Sequence, residues 1–489
     1  MKINSRNLKN SGWSMVNILL YPVAFMGLTP LFINGMGESR FGIWMLLNSY
    51  VYIAVHIISF GFSNSITAHV AEALGRDDRV KLFAYLNSSA RIISILALAT
   101  SLLALLAFLA FHSFHSFHSF PAFAAFPAFD PNAVILATLL IAVKFHELLF
   151  QSVFKGFERF DLAGQYNILN KFLVLGAQLA LVLAGYGLAA LFLWSLVINF
   201  TVVVIQGLAM HRLVRGFRFR WKRHPAESRD LFEFGFWTWV QTVISVAAYQ
   251  ADRFIVAFVL GPAVAGYYIL ASTIANHMHM AFGAMASWLF PKVAREKQTP
   301  GGETLAWFHT LRGFTTGVSL AAILVAYLAY RPFFSIWLGP DNFPKIDSFF
   351  ALFLAYEAML ILSIIPQFYL NGMRMLKFIT GLELMYKTGI LAGMFIAFTI
   401  SPTGESLLLG QIAALVLFMP VEFFLVNRKV LRDNPLSETI TTMIPSLCVV
   451  GLILAGMPLV TAGLAITGAV VFRLYYLRPS RFKFKMLTA

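Results

Sequence analysis

The sequence predicts an all-α polytopic membrane protein with about fourteen transmembrane helices. Of its 489 residues, 59% are hydrophobic and only 12% are charged. Apolar runs recur along the chain, and a run of about 20 residues is long enough to cross a hydrocarbon layer about 30 Å thick. Transmembrane β-strands alternate apolar and polar positions over about ten residues, and these runs do not alternate. Helices are therefore the predicted spanning elements.

The predicted spans form two groups of six and a final pair. The first run is too long for a signal-peptide core and no cleavage pattern follows it, so we interpret it as a retained span. The spans are predicted near residues 11–33, 41–63, 82–110, 132–155, 161–184 and 187–210, then 233–260, 262–290, 305–329, 347–371, 375–399 and 405–427, and finally 438–457 and 459–477.

This order predicts four regions of the chain. They are an N-terminal six-helix lobe (1–210), a basic cytoplasmic linker (211–232), a C-terminal six-helix lobe (233–430), and two additional helices with a basic cytoplasmic tail (431–489).

The distribution of basic residues predicts the orientation of the spans. The formal net charge is +15, which taken alone would suggest a nucleic-acid partner. Most of the lysines and arginines outside the spans fall at the two termini and in alternate loops, whereas the opposite loops hold only Arg40, Arg331 and Lys345. By the positive-inside rule both termini are cytoplasmic. The basic linker is then expected to contact anionic lipid headgroups, and no nucleic acid is expected as a partner.

Several ionisable residues lie within the predicted spans. Such a group costs about 2.5–3.5 kcal/mol at the bilayer centre, so it normally faces a bundle interior or a hydrated cavity. The protein is therefore predicted to enclose a polar space. The bases are Arg91, Lys144, Lys171, Arg253, Arg312 and Lys387, and the acids are Glu147, Asp252, Glu357, Glu383 and Glu422.

Two pairs of similar segments indicate an internal repeat. GESRFGIWMLLNS (37–49) matches GPAVAGYYILAST (261–273) in its two glycines and its apolar run, and QSVFKG (151–156) matches QFYLNG (367–372). A lysine follows the final glycine of each short segment by fifteen residues, at Lys171 and Lys387. Two copies of a six-span unit have the same orientation and are related by a pseudo-twofold axis along the membrane normal.

Two longer segments resemble a known family. FGIWMLLNSYVYIAVHIISFGFSNSITAHVAEALGRDD (41–78) and YQADRFIVAFVLGPAVAGYYILAS (249–272) resemble bacterial polysaccharide repeat-unit flippases (Wzx-like, O-antigen type) of the multidrug/oligosaccharidyl-lipid/polysaccharide exporter superfamily. The resemblance implies two six-helix lobes around a cavity in the bacterial inner membrane. It also implies alternating-access movement of an undecaprenyl-diphosphate-linked oligosaccharide to the periplasmic leaflet, for surface polysaccharides such as lipopolysaccharide.

The intramembrane bases fit an anionic lipid substrate. Lysine and arginine in a hydrated cavity would offset the cost of moving a diphosphate through a medium of low dielectric constant. Two lysines also have a local explanation, because Glu147 lies three residues after Lys144 and Glu383 four residues before Lys387, which suits an ion pair on one helix. The candidate substrate-binding residues are Arg91, Lys144, Lys171, Arg253 and Lys387.

Asp252 and Glu357 are the candidate residues for coupling to a proton or sodium ion. Adjacent helical residues point about 100° apart, so Asp252 and Arg253 are expected to face different partners. Burial in interhelical hydrogen bonds is an equally good interpretation of both. His277 and His279 are interpreted as polar packing. The tract FHSFHSFHSF (111–120) is interpreted as low-complexity material in an external loop, and neither a cofactor nor a metal site is predicted.

Two other functions stay open. A cation-coupled multidrug antiporter of the same fold would have a cavity dominated by carboxylates. A membrane-embedded polysaccharide enzyme is less favoured, because no nucleophile–His–carboxylate grouping and no phosphate-binding glycine-rich loop is present in the sequence. The predicted partners are the polyprenyl-diphosphate oligosaccharide lipid, membrane lipids, a proton or sodium ion, and polysaccharide polymerase and chain-length proteins.

Overall fold

The computed structural model describes residues 5–113, 130–221, 224–286, 303–373, 375–430 and 435–456. Every regular element in these ranges is helical, and no strand occurs in them. Within the described residues ten helical segments are long and apolar enough to cross a membrane, and Leu20–Met36 is a shorter apolar segment. The predicted all-α, multi-pass membrane class is therefore confirmed.

By its internal contacts the chain divides into two compact units, Met1–Ile269 and Leu270–Ala489. The ninth helix begins in the first unit and ends in the second. The helices that begin in the first unit are α1 (Ser5–Met36), α2 (Glu38–Ile58), α3 (Phe62–Gly75), α4 (Arg79–Ser113), α5 (Pro131–Gly156), α6 (Phe160–Leu183), α7 (Leu188–Leu213), α8 (Pro225–Leu260) and α9 (Pro262–Ala286).

In its described part the second unit continues with six further α-helices. Within it α13 packs against α14, and α14 packs against α11 and α15. The helices are α10 (Glu303–Leu338), α11 (Phe343–Leu360), α12 (Ile364–Gly372), α13 (Leu376–Ile400), α14 (Gly404–Val430) and α15 (Pro435–Leu454).

Helix boundaries follow local chemistry. At the start of α5 the Asp130 carboxylate accepts a hydrogen bond from the backbone N–H of Asn132 at 3.0 Å, and Pro131 occupies the first turn. Gly37 and Gly261, the first glycines of the predicted repeat, separate α1 from α2 and α8 from α9 with φ values of 79° and 88°. Side chains other than glycine rarely adopt that conformation. The matched segments therefore form the same kind of turn.

The structure corrects three details of the predicted spans. The sequence predicts that the second span ends at residue 63 and that a loop follows it. Instead the helix breaks at Phe60 and Gly61, both with positive φ, and residues 62–75 form a further helix, α3. The span near 347–371 is interrupted by a 3₁₀ turn at Ile361–Ser363. Helix α10 continues to Leu338, beyond the predicted end of its span. The last span, near 459–477, and most of the histidine tract lie outside the described residues, and the lobe boundaries stay a prediction.

The second glycines of the repeat lie at a close contact between α2 and α9 within the first unit. A Cβ atom added to Gly42 would overlap the backbone carbonyl oxygen of Pro262, and one added to Gly266 would lie 3.0 Å from the Cα of Gly42. Neither neighbour is a flexible side chain that could move aside. The absence of side chains at both positions therefore allows this approach of the two backbones.

We predict that Gly42→Ala destabilises the protein by about 1–3 kcal/mol, the usual cost of overpacking a close-packed interior. Thermal unfolding of the detergent-solubilised protein measures the effect. Gly283→Ala on α9 is the control, because a Cβ there would meet no atom within 4 Å. Equal unfolding temperatures for the two variants would contradict the close α2–α9 contact.

Candidate functional site

A polar cluster lies inside the first unit where α5, α6 and α7 meet. We call it the first-unit cluster; it consists of Lys144, Glu147, Asn170, Lys171 and Asn199. The Lys144 Nζ lies 2.6 Å from Glu147 Oε2, as the spacing of three residues predicted. Asn170 Nδ2 donates to Glu147 Oε1 at 3.1 Å and to Asn199 Oδ1 at 2.8 Å. The carboxylate of Glu147, which is only 8% exposed, is thereby compensated.

Lys171 gives this cluster a surplus of positive charge. It is half-buried and lies within electrostatic range of Lys144 and Glu147. Its Nζ lies 5.3 Å from the centroid of the Tyr21 ring, a cation–π contact, and it forms no ion pair with a described residue. The cluster thus contains two ammonium groups and one carboxylate.

Arg91 lies on α4, which packs against α5, but it is not part of this cluster. Arg91 is half-buried on α4 and makes no hydrogen bond or ion pair with a described residue. One turn further on, the Ser94 hydroxyl lies 3.5 Å from His146 Nε2 of α5. The structure therefore places Arg91 beside the α4–α5 contact, and its binding role stays a prediction.

Asp252 and Arg253 face different helices, as their adjacency on α8 predicted. Asp252 is buried, and its Oδ2 accepts a hydrogen bond from the Tyr268 hydroxyl of α9 at 2.7 Å. Arg253 Nη1 donates to Ser49 Oγ of α2 at 3.1 Å. Both side chains thus take part in interhelical hydrogen bonds, which was one of the two interpretations of this pair.

A second cluster lies where α12, α13 and α14 meet. This second-unit cluster consists of Gln367, Glu383, Lys387 and Glu422. Lys387 is 4% exposed, and its Nζ lies 3.2 Å from Glu383 Oε2, as the four-residue spacing predicted. Gln367 Nε2 donates to Glu383 Oε1 at 2.9 Å. Glu422 interacts electrostatically with both Glu383 and Lys387.

The two clusters occupy corresponding positions in the predicted repeat. Lys171 is the twelfth residue of α6, and Lys387 is the twelfth residue of α13. The preceding helices end at the matched glycines, Gly156 and Gly372. The charge balance differs, because the first-unit cluster has one ammonium in excess and the second-unit cluster has one carboxylate in excess.

Two further intramembrane charges have partners that the sequence did not predict. Glu357 is 3% exposed, and its Oε2 lies 3.0 Å from His279 Nδ1, so His279 is the polar packing partner of that acid. Arg312 donates to Asn427 at 3.0 Å and pairs with Glu438 at 2.8 Å. No short-range sequence signal identifies these pairs. In the described ranges no group of three His, Cys, Asp or Glu side chains is arranged to hold a metal ion.

Comparison with known proteins assigns the family. The family described as polysaccharide biosynthesis protein matches residues 8–296, more than half of the chain. This chain belongs to the polysaccharide biosynthesis protein family. No curated protein matches this member of the family in sequence.

Solved structures show the fold of this polysaccharide biosynthesis protein. Lipid II flippase MurJ in an inward closed conformation aligns with a TM-score of 0.67 and 12% identity, over 95% of this chain and 98% of that one. An inward-facing multidrug resistance MATE family transporter of the MOP superfamily aligns with a TM-score of 0.56 and 11% identity, over 90% and 99%. An outward-facing multidrug resistance MATE family transporter aligns with a TM-score of 0.55 and 12% identity, over 87% of this chain and 96% of that one.

The expected polysaccharide-related family is thus confirmed, and the fold is the one seen in a solved flippase and in solved transporters. The solved proteins in this comparison are a flippase and transporters, and none of them is described as an enzyme. The first-unit cluster and the second-unit cluster are each a candidate functional site of a polytopic helical membrane protein.

We predict that Glu147→Gln destabilises the protein by about 1–3 kcal/mol, because it leaves the Lys144 ammonium without its ion-pair partner. Chemical unfolding in detergent measures this change. The double variant Lys144→Met/Glu147→Gln should recover most of the loss. As a control, Glu233→Gln removes one partner of the exposed Arg229–Glu233 pair at 3.9 Å and should change stability by less than about 0.5 kcal/mol. Similar losses for Glu147→Gln and Glu233→Gln would show that the cluster is not a structural ion pair.

Proposed function

We propose that this protein is a flippase for an anionic lipid-linked oligosaccharide. Its substrate would be a polyprenyl-diphosphate oligosaccharide, moved by alternating access from the cytoplasmic to the periplasmic leaflet of the bacterial inner membrane. Both termini would be cytoplasmic, and the product would serve the synthesis of surface polysaccharides such as O-antigen, with polymerase and chain-length proteins acting on it afterwards.

The observation that carries this proposal is the surplus positive charge of the first-unit cluster. Lys171 has an aromatic ring beside its ammonium group and no carboxylate partner among the described residues. A diphosphate headgroup is strongly disfavoured in a low-dielectric region, and an ammonium group that is already partly desolvated is a suitable point-charge partner for it. Lys171 is therefore proposed as the principal contact to the headgroup.

The other candidate bases have secondary roles in this proposal. Lys144 can turn toward the headgroup only by weakening its pair with Glu147. Arg253 is directed toward Ser49, and Arg91 is half-buried without a described partner, so both can contribute positive potential along the path. Lys387 is enclosed with Glu383, which makes direct substrate contact the least supported of the five roles.

Cation coupling is part of the same proposal. Asp252 and Glu357 are buried acids on α8 and α11, and their polar partners include Tyr268 and His279, which a proton or sodium ion would have to displace or share. Protonation of the His279–Glu357 pair alters its ion-pair character directly, which supports a role for this pair in the conformational cycle.

A multidrug antiporter is the second candidate function. The solved multidrug transporters have the same fold, and the second-unit cluster has the carboxylate surplus that a cationic substrate would need. Since that cluster is enclosed within the second unit, whereas Lys171 is half-buried, the anionic substrate is favoured.

Leaflet-resolved transport in proteoliposomes tests the proposal. We predict that wild type moves a lipid-diphosphate oligosaccharide and that Lys171→Ala moves it about 10- to 100-fold more slowly, the equivalent of a charge-assisted contact of about 1.5–3 kcal/mol. Lys155→Ala, an exposed lysine at the end of α5, is the control and should match wild type.

A cationic dye is offered to the same vesicles in a separate experiment. Dye movement together with an inert lipid substrate would contradict the flippase and support the antiporter. Equal lipid transport by wild type and Lys171→Ala would contradict the assigned role of Lys171.

A further inference from the structure

The second-unit cluster contains one carboxylate that its ion pair does not compensate. Glu422 on α14 is 6% exposed, and its Oε2 is buried and has no hydrogen-bond partner among the described residues. The charged groups that interact with it are Glu383 and Lys387 of α13. Lys387 already lies 3.2 Å from Glu383. A single ammonium group therefore faces two carboxyl groups.

This charge count has a direct consequence for protonation. An ionised carboxylate without compensation is so costly in an apolar interior that the group normally takes up a proton instead. The Lys387–Glu383 pair is neutral as a whole. With a proton on Glu422 the entire cluster is neutral, and without that proton it carries one negative charge.

The helices that pack against α14 do not supply another counterion close to Glu422 in the described part of the chain. Charged residues of these neighbours pair with other groups: Glu357 with His279, Asp347 with Arg331, and Glu438 with Arg312. The remaining charged residues lie toward the ends of α11, α13 and α14, and they are Lys345, Lys377, Glu405, Arg428 and Lys429.

We propose that Glu422 binds a proton in the resting protein and that Glu422, Glu383 and Lys387 together form a one-proton site. A proton suits this site better than a sodium ion, because the Lys387 ammonium, which interacts with both carboxyl groups, would repel a metal ion. For its role in driving transport, the site rests on the flippase function proposed above.

The position of the site indicates how the proton is released. Glu422 lies eight residues before the end of α14, and Glu383 seven residues after the start of α13, so both are about 10–12 Å from the same end of the helix pair. Under the predicted orientation this end is cytoplasmic. Because a bare carboxylate there needs water, loss of the proton requires hydration of the cluster, and this links deprotonation to opening of the second unit at that end.

Pro420 is a position at which α14 can bend during such an opening. It lies within α14, two residues before Glu422. Proline has no backbone N–H, so the carbonyl of Val416 lacks its usual helical donor, and helices bend at such positions. A change in hydration at Glu422 would therefore act on the part of α14 that deforms most easily.

Infrared difference spectroscopy of the full-length protein in lipid nanodiscs tests the proton count without substrate. The measured quantity is the difference in intensity of the carbonyl band of protonated buried carboxyl groups between two pH values. At the first pH Glu422 is protonated, and the second pH is strongly alkaline. We expect Glu422→Gln to remove the contribution of one carboxyl group. Lys387→Met, which leaves two carboxyl groups and no ammonium, should double the contribution of this cluster.

Two further variants make the count specific. Lys387→Met/Glu422→Gln should return the contribution to that of wild type, because one carboxyl group then remains without a cation. Glu405→Gln, which removes an acid on the same helix that accepts a hydrogen bond from Ser348, should leave the band unchanged. The band should be the same in sodium chloride and choline chloride.

An unchanged band in Glu422→Gln, or no increase in Lys387→Met, would overturn the one-proton site. A band that disappears in sodium would overturn the assignment of a proton. If Glu422→Gln does not fold, as judged by gel filtration, Lys387→Met decides the question alone. The infrared measurement does not depend on transport. If the proton count is as predicted but the vesicles show no lipid transport, the flippase function is contradicted and the proton site is not.

Discussion

The cost of placing an ionisable group inside a hydrocarbon layer is the constraint on which this structure depends. Isolated intramembrane charges are met by partners on neighbouring helices. Asp252 accepts from Tyr268, Glu357 contacts His279, and Arg312 binds both Asn427 and Glu438. The Glu357–His279 and Arg312–Glu438 contacts join helices that lie far apart in sequence, so the interactions that make these charges tolerable also specify which helices pack together. Where compensation is incomplete, we propose that the surplus charge serves the function.

Incomplete compensation occurs at corresponding places in the two copies of the predicted repeat. Lys171 and Lys387 take the same position on α6 and α13, but the residue four positions earlier is Asn167 in one and Glu383 in the other. One lysine is therefore left with an aromatic neighbour, and the other is paired beside a second acid, Glu422. This difference accounts for two proposed roles, an anionic lipid headgroup in the first unit and a proton in the second.

Local features of this molecule could be predicted from the sequence, whereas features that depend on packing could not. The spans predicted at 132–155 and 161–184 agree closely with α5 and α6, because apolar length alone determines them. The pairs Lys144–Glu147 and Glu383–Lys387 follow from helical spacing. By contrast, His279 and Glu357 are 78 residues apart, and Arg312 and Glu438 are 126 apart, so only the packed structure identifies them. Helix α3 was missed because it is short and carries polar residues along its length.

The central claim is that Lys171 binds the lipid headgroup because its positive charge is not compensated by a carboxylate, and that the presence of a lysine alone is not sufficient. The most direct measurement is leaflet-resolved transport of a lipid-diphosphate oligosaccharide by Asn167→Glu, which gives Lys171 the carboxylate four residues earlier that Lys387 already has. The account predicts that transport falls as far as in a variant lacking the lysine, while Asn167→Gln, of similar size but neutral, stays close to wild type. Undiminished transport by a folded Asn167→Glu protein would contradict the account.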